Sequence, residues 1–545
     1  MPVSIKKPFQ IFFRLLAGVP ILGDMLAKHP RPQLSHAPDF GSNFRRKFIQ
    51  NLLIGISVGI VVHLAAHLHL GTVVKTQNAV LDSMMKLSSD TDDNDPKRPT
   101  QVLFDVDEQT YRNPMWGGGE PTVLPLDKIA VLIEKAFDSG ARFVLVDFAI
   151  DGARDERQDD FISQIHKVLK AYPEGHLLFV RSIRQPLEPS MAKAVRPSAL
   201  DGLIASHPEN VHAVAPNFLR SSDNVLRHWR LWESACYPLP GRQGEGRWVV
   251  IPSPQLAIAS IDNARPFQWS LVGTEVPQAL PCAVDGATEN ILDQAQSSRL
   301  ADWHAGRWVL EVFQTCYEQD TFTEENCSKS APKPDFQAQK ESSLKAKGEV
   351  LANRILFRQS DLVGQHAAAV RQGKTPPIVL YPEYFDRVPA INLLAETISG
   401  PALAALGKLD KPETKTIAVI GASYADSRDV HVTPLGEMPG ALVLVNAIDT
   451  VKAVGVLQSP DPAIRYTVIV VLLLIMSAVF AWLPVAWATV PMVVFVALTI
   501  GPMSFWFLKQ GIWLDFGAPI VGIYLFRKID AYLKWRGGVN TQQRI

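Results

Sequence analysis

The stretch that decides the fold lies between Lys415 and Ser459 and reads KTIAVIGASYADSRDVHVTPLGEMPGALVLVNAIDTVKAVGVLQS. Its apolar run Ile417–Ile420 ends in a glycine, a pattern typical of a buried strand that stops at a turn. A polar loop follows, and Pro439 and Gly440 then open a second apolar segment that leads towards a membrane-length hydrophobic block. We therefore expect a strand, an acidic loop and a helix that join a soluble domain to the bilayer.

Composition limits the classes of protein to consider. The chain has 545 residues, enough for two or three domains. Its 54 Lys and Arg balance 54 Asp and Glu, so we expect no nucleic-acid partner, since such binders usually carry a basic excess. The four cysteines form no C-x-x-C motif, and all lie between the two hydrophobic blocks. A disulfide between Cys316 and Cys327 would fit an oxidising compartment, and buried free thiols are the alternative.

Two hydrophobic blocks predict four transmembrane helices, one N-terminal and three C-terminal. Residues 48–74 and 466–508 contain no Asp, Glu, Lys or Arg, and a helix needs only about 20 apolar residues to cross a bilayer. The predicted segments are a basic cytoplasmic segment 1–47, a span 48–74, a periplasmic domain 75–463, spans 464–483, 485–508 and 512–528, and a cytoplasmic tail 529–545. Basic residues flank both termini, which places them in the cytoplasm of a bacterial inner membrane.

The segment between the hydrophobic blocks predicts an α/β domain with a mainly parallel sheet. After an exposed acidic linker at Leu87–Thr100, short apolar strands alternate with helical patterns. The predicted strands are Val102–Val106, Phe143–Phe148 and Leu177–Val180, and the predicted helices are Leu126–Phe137 and Arg154–Leu169. Further strand candidates begin at Val249, Arg354 and Ile378.

Three aspartates follow predicted strands and are candidates for ligand binding. Asp107, Asp147 and Asp429 each lie at or near the end of an apolar run or its loop. Ligands of open α/β sheets bind outside the carboxyl ends of the strands, where carboxylates can hold a cation, a polyol or an amine. The alternative is that these side chains cap helices or hold loops through backbone hydrogen bonds.

Other motifs are incomplete, so we expect neither an enzyme nor a bound cofactor. Gly117–Gly119 is better explained by a flexible turn than by an anion cradle, and no P-loop pattern is present. The sequence after Gly421 lacks the spacing of a nucleophile elbow, and His431 has no assignable catalytic partner. The two histidines His63 and His67 share a helical face that could hold a metal or haem, although packing near the membrane interface is the simpler explanation.

The stretch from Ile417 to Val451 resembles the type-two CHASE domain, an extracellular sensory family. The residues that carry the resemblance are Gly421, Ala422, Asp429, Thr433, Pro434, Pro439, Gly440, Asn446, Ala447, Ile448 and Asp449. The opening Phe104-Asp-Val-Asp-Glu, the loop tryptophan Trp116 and the strand around Asp147 are also similar to the family. The resemblance adds Glu108, Trp116 and Thr433 to Asp107, Asp147 and Asp429 as ligand-binding candidates.

Two departures from the family pattern shape the expected function. Pro125-Leu126-Asp127 replaces the usual Pro-Arg-Asp, and only about eighteen residues follow Arg527, too few for the family's usual output domain. We therefore expect a sensory protein that binds an unknown ligand or envelope component and signals through a separate effector. The alternative is a non-catalytic structural or assembly subunit of an envelope complex. Membrane lipid and a second copy of the chain are further expected partners.

Overall fold

The computed structural model describes residues 42–262, 354–359, 385–483, 503–513 and 525, with short gaps inside these ranges. Cys316, Cys327 and the strand candidate at Ile378 lie outside the described residues. The chain divides into two compact units. The first comprises Met1–Leu87, Glu349–Leu351 and Leu457–Ile545, and the second comprises Ser88–Gly348 and Ala352–Val456.

The second unit is built around a six-stranded sheet in which every pairing is parallel. Its strands are β1 (Gln101–Val106), β2 (Phe143–Val146), β3 (His176–Val180), β6 (Val211–Val214), β11 (Phe385–Pro389) and β12 (Ile417–Ala422). The strand order is β11-β1-β12-β2-β3-β6, so β12 lies between β1 and β2 although it comes last in the chain. The prediction of a mainly parallel α/β sheet is confirmed.

Helices cover both faces of this sheet, as a parallel sheet requires. One face packs into a large apolar core with the helices α3 (Glu108–Arg112), α4 (Leu126–Asp138), α5 (Glu156–Ala171), α6 (Leu200–Ser206), α8 (Ala390–Leu394) and α9 (Gly400–Leu409). The other face is covered by α7 (Pro254–Asp262) and α10 (Gly440–Ala453), which also pack against each other. Nearly every residue of α10 is buried, because this helix lies between the sheet and α7.

Smaller β elements surround the central sheet. A four-stranded sheet has the order β10-β9-β5-β4, with β4 at Ile183–Arg184, β5 at Ala194–Val195, β9 at Trp232–Pro238 and β10 at Gly246–Pro252. The antiparallel pairs are β7 (Phe218–Arg220) with β8 (Leu226–Trp229), and β13 (Val430–Thr433) with β14 (Gly436–Pro439). The predicted strand at Arg354 is wrong, because that residue forms only an isolated bridge to His228.

The first unit contains the helices α1 (Ser42–His67), α2 (Gly71–Ser88) and α11 (Pro462–Trp482). A glycine lets α1 approach α11 closely, since a methyl group on Gly55 would lie 3.1 Å from Leu473 Cδ2. Many of the exposed large apolar side chains of the protein lie on α1 and α11. Among the described residues, however, none of the helices has both the length and the hydropathy needed to span a membrane. Most of the predicted spans 485–508 and 512–528, and the side chains of His63 and His67, lie outside the described residues.

Candidate functional site

Two aspartates and a glycine form a row across the carboxyl ends of three neighbouring strands. Asp105 on β1 pairs in register with Gly421 on β12. Asp147 follows β2 directly, and its amide donates to the carbonyl of Ile420 on β12. Alternate residues of β1, β2 and β12 belong to the core on the opposite face, so this row lies on the face that α10 covers. Gly421 supplies no side chain between the two aspartates, and α10 packs into the position that a side chain would take.

The first turn of α10 lies directly against this row. A methyl group on Gly421 would lie 2.5 Å from Ala441 Cβ and 3.6 Å from Asp147 Oδ2. Gly440 precedes Ala441 and is the first residue of α10. A methyl group on Gly440 would collide with the carboxylate of Asp429. The two glycines therefore allow α10 to begin between the carboxyl groups of Asp147 and Asp429. We call Asp105, Asp147, Gly421, Asp429 and Gly440 the carboxyl-edge site.

The carboxyl group of Asp147 is the least compensated group of the site. Among the described residues, its oxygens make no hydrogen bond and no ion pair. Burial raises the pKa of Asp147 well above its usual range, and the nearby charge of Asp429 raises it further. The raised pKa extends the pH range over which Asp147 is protonated, and a protonated carboxyl group can donate a hydrogen bond where a carboxylate only accepts one.

Asp105 is more deeply buried and is held by two partners. Its Oδ2 accepts hydrogen bonds from Arg387 Nε at 2.9 Å and from Ser423 Oγ at 2.8 Å. Its Oδ1 is buried and has no hydrogen-bond partner in the described part of the chain. Burial raises the pKa of Asp105, although the Arg387 guanidinium opposes that shift. The free oxygen leaves one hydrogen-bonding position of this carboxyl group open.

Asp429 connects the site to a β-hairpin that the sequence did not predict. Its Oδ1 lies 3.0 Å from His431 Nε2, and its backbone carbonyl accepts from the amide of Gly440. Thr433, four residues later, is buried and uses its hydroxyl inside the hairpin turn, where it donates to the carbonyl of Gly436 at 2.6 Å. The structure thus places Asp429 at the start of α10 and gives Thr433 a position in the turn.

The remaining predicted site residues have defined structural contacts. Asp107 caps α3, because its Oδ1 accepts from the amide of Thr110 at 2.8 Å. Glu108 pairs with Arg112 and accepts from the amide of Ala425 at 3.2 Å, which ties α3 to the segment after β12. Trp116 is buried in the core on the face opposite to α10. The structure therefore brings together Asp147 and Asp429, but not Trp116.

The Asn-Ala-Ile-Asp motif of α10 forms a buried latch. Asn446 Oδ1 accepts from the amides of Arg358 and Gln359 at 2.7 and 2.8 Å. Asp449 binds Arg98 through two hydrogen bonds of 2.8 and 2.7 Å, and both side chains are only 1% exposed. The expectation that Leu87–Thr100 is exposed throughout is wrong at its end, where Arg98 is buried by this ion pair.

The latch joins the first and the last part of the second unit along the sequence. Arg98 lies ten residues after the first residue of that unit, Ser88, and Asp449 lies seven residues before its last residue, Val456. Sequence reasoning noted the Asn-Ala-Ile-Asp motif but not this role. No local spacing predicts a pairing across 351 residues.

The carboxyl-edge site offers a carboxyl group with a raised pKa, a second acidic side chain next to a histidine, and the first turn of a helix. Such a set of donors and acceptors suits a small polar ligand held by directed hydrogen bonds. In the part of the chain that the structure describes, no three histidine, cysteine or acidic side chains gather closely enough to hold a metal ion. A parallel α/β sheet with polar groups at its carboxyl edge belongs to the class of open α/β domains whose ligands usually bind at that edge.

Comparison with known families identifies that class. The profile of the CHASE2 domain matches residues 57–486, which is most of the chain. The chain belongs to the CHASE2 family of sensory domains, as the resemblance predicted. Neither the curated proteins nor the solved structures yielded a match.

Proposed function

We propose that this protein is a receptor of the bacterial inner membrane whose α/β unit lies in the periplasm and binds a small polar ligand or envelope component. The ligand binds at the carboxyl-edge site, and a separate effector protein carries the signal onward. The observation that carries this proposal is the position of α10, which begins between Asp147 and Asp429 and ends shortly before α11 in the chain.

The same helix gives the proposal a physical route for the signal. Suppose that the first turn of α10 can adopt two positions relative to the sheet. A ligand that binds the protein more tightly in one of them increases the fraction of molecules in that conformation. The latch at Asn446 and Asp449 lies about two turns further along the helix, so a displaced α10 also displaces Arg98. Movement at the site then reaches both chain connections of the second unit.

Membrane attachment is part of the proposal and rests on the first unit. Its helices α1 and α11 expose apolar side chains such as Leu53, Ile60, Val470 and Leu474. Lipid tails, or the membrane helices of a partner or of a second copy of the chain, would cover these side chains. The basic residues near both predicted cytoplasmic ends support the orientation with the larger unit in the periplasm.

A ligand screen tests the proposal. The purified full-length protein is heated with a broad panel of small polar metabolites, and we expect at least one to raise the melting temperature. Asp147→Asn should abolish that shift, whereas Asp160→Asn, an exposed control on α5, should retain it. A panel with no stabilising compound, or a shift that survives Asp147→Asn, would count against ligand binding at this site.

A second candidate, a non-catalytic assembly subunit, has one observation in its favour. The β13–β14 hairpin exposes Val430 and Val432 on the same strand as His431, and an exposed apolar strand is a surface on which another protein can dock. Crosslinking followed by mass spectrometry separates the candidates. A partner in fixed ratio at the hairpin favours assembly, and a partner whose capture depends on ligand favours sensing.

A further inference from the structure

Four histidines form two close pairs on the side of the sheet where β3 and β6 begin. His166 on α5 faces His207, which ends α6, and their Nδ1 and Nε2 atoms are 2.8 Å apart. His176 on β3 faces His212 on β6 with 3.4 Å between Nδ1 and Nε2. Neither pair belongs to the carboxyl-edge site.

The two pairs differ in their access to solvent. His166 is exposed and His207 is partly exposed, and apart from each other their rings have no hydrogen-bond partner among the described residues. His212 is buried, and His176 Nδ1 also lies 3.1 Å from the carbonyl of Glu209. Only the first pair presents two ring nitrogens to a solute arriving from solution.

The geometry of this exposed pair points to a metal site: we propose that His166 and His207 together bind a divalent copper or nickel ion. Metal–imidazole bonds are about 2.0–2.1 Å long, so two nitrogens at right angles around an ion are roughly 2.8–3.0 Å apart. The 2.8 Å between His166 Nδ1 and His207 Nε2 is a hydrogen-bond distance, and it is also the separation that this arrangement requires once both rings turn their nitrogens towards one ion. A tetrahedral zinc ion needs a wider separation, roughly 3.3 Å, and is the poorer fit.

A histidine binds a metal ion through an unprotonated ring nitrogen. In the hydrogen-bonded pair one ring donates and the other accepts. To bind the ion, the donating ring moves its proton to its other nitrogen, and both facing nitrogens then offer lone pairs with no net loss of a proton.

Two protein ligands leave the other positions of the ion to water. No third histidine, cysteine or acidic group completes the site within the described ranges. For an open nitrogen site the order of affinity among divalent ions rises from nickel to copper and falls again at zinc. Copper should therefore bind most tightly, with nickel next.

A titration of the full-length protein, purified with a tag that contains no histidine and stripped of metal by a chelator, tests the proposal. Copper(II) chloride is added and followed by calorimetry and electron paramagnetic resonance. Apart from any binding at His63 and His67, we expect a tight site with two coordinated nitrogens, whose affinity falls at least tenfold in His166→Gln and in His207→Gln. Glutamine preserves hydrogen bonding at these positions but is a poor ligand for copper. The matched control His176→Gln should bind as the wild type does.

A second measurement does not depend on the folding of any variant. Diethyl pyrocarbonate modifies exposed histidines, and mass spectrometry follows each residue of the wild-type protein. Bound copper should slow the modification of His166 and His207 but leave the rates at other exposed histidines unchanged. Copper binding that persists in both glutamine variants, or modification of His166 at the same rate with and without copper, would show that the pair is only a hydrogen bond.

Discussion

The fit of α10 against β12 predicts that Gly421→Ala destabilises the second unit. The added methyl group would lie 2.5 Å from Ala441 Cβ, whereas apolar carbons pack at about 3.5–4.0 Å. Because both carbons are attached directly to backbone, α10 must retreat by roughly 1 Å. Overpacking of this kind costs about 1–3 kcal/mol. At about 2 °C per kcal/mol for a large domain, the melting temperature should fall by roughly 2–6 °C.

Thermal unfolding followed by near-ultraviolet circular dichroism checks this value, with two informative companions. Gly407→Ala on α9 adds the same methyl group where no atom lies within 4 Å, so it should be neutral or stabilise by up to about 1 kcal/mol through helix propensity. Combining Gly421→Ala with Ala441→Gly removes the colliding methyl and should recover part of the loss. If Gly421→Ala melts no lower than the wild type, the close approach of α10 to β12 is wrong.

Three further predictions follow from the polar contacts. Asp449→Asn removes the carboxylate that pairs with buried Arg98 and should cost about 3–5 kcal/mol, seen as a large fall in the denaturation midpoint. Asp107→Ala removes the cap on α3 and should cost about 1 kcal/mol, measured in the same way. The folded-state pKa of Asp147 is raised, so the native state retains a proton that the unfolded state releases, and stability falls as pH rises from about 4 through the folded pKa. Asp147→Asn should therefore have the same melting temperature as the wild type near pH 4 and a higher one towards neutral pH. A difference in melting temperature that does not change across this pH range would contradict the raised pKa.

The central strands could be predicted because they are apolar runs buried on both faces. The predicted strands at Val102, Phe143, Leu177 and Ile417 all occur with nearly the expected bounds. Such runs are distinctive because helices cover both faces of a parallel sheet, which leaves few positions for polar residues.

The antiparallel elements were harder to recognise. In β9, Glu233 and Ser234 interrupt the apolar residues, and no two-residue turn links this strand to β10. For the β13–β14 hairpin a signal was present, since Val430-His-Val-Thr alternates and Gly436, in the turn, has φ +113°. The polar residues that precede it favoured the prediction of a plain loop.

The candidate site could be predicted in part, for a different reason. Residues that directly follow parallel strands lie close together at the carboxyl edge of the sheet. Asp147 follows β2 and therefore lies at the site. Asp105 was missed because it lies inside a strand, where an acidic residue gives no local signal of its partner. Its ion pair with Arg387 joins residues 282 positions apart, and only the order of strands in the folded sheet makes them neighbours.

The contacts of α10 also bear on how this domain can diversify. Lys452 forms an ion pair with Asp262, the last residue of α7, and Asn446 holds the backbone at Arg358 and Gln359. The chain therefore departs from α10 and returns to it across the intervening residues 263–353. Because both anchor points are contacts that α10 makes itself, we expect α10 to keep its place on the sheet when the sequence between the two points changes.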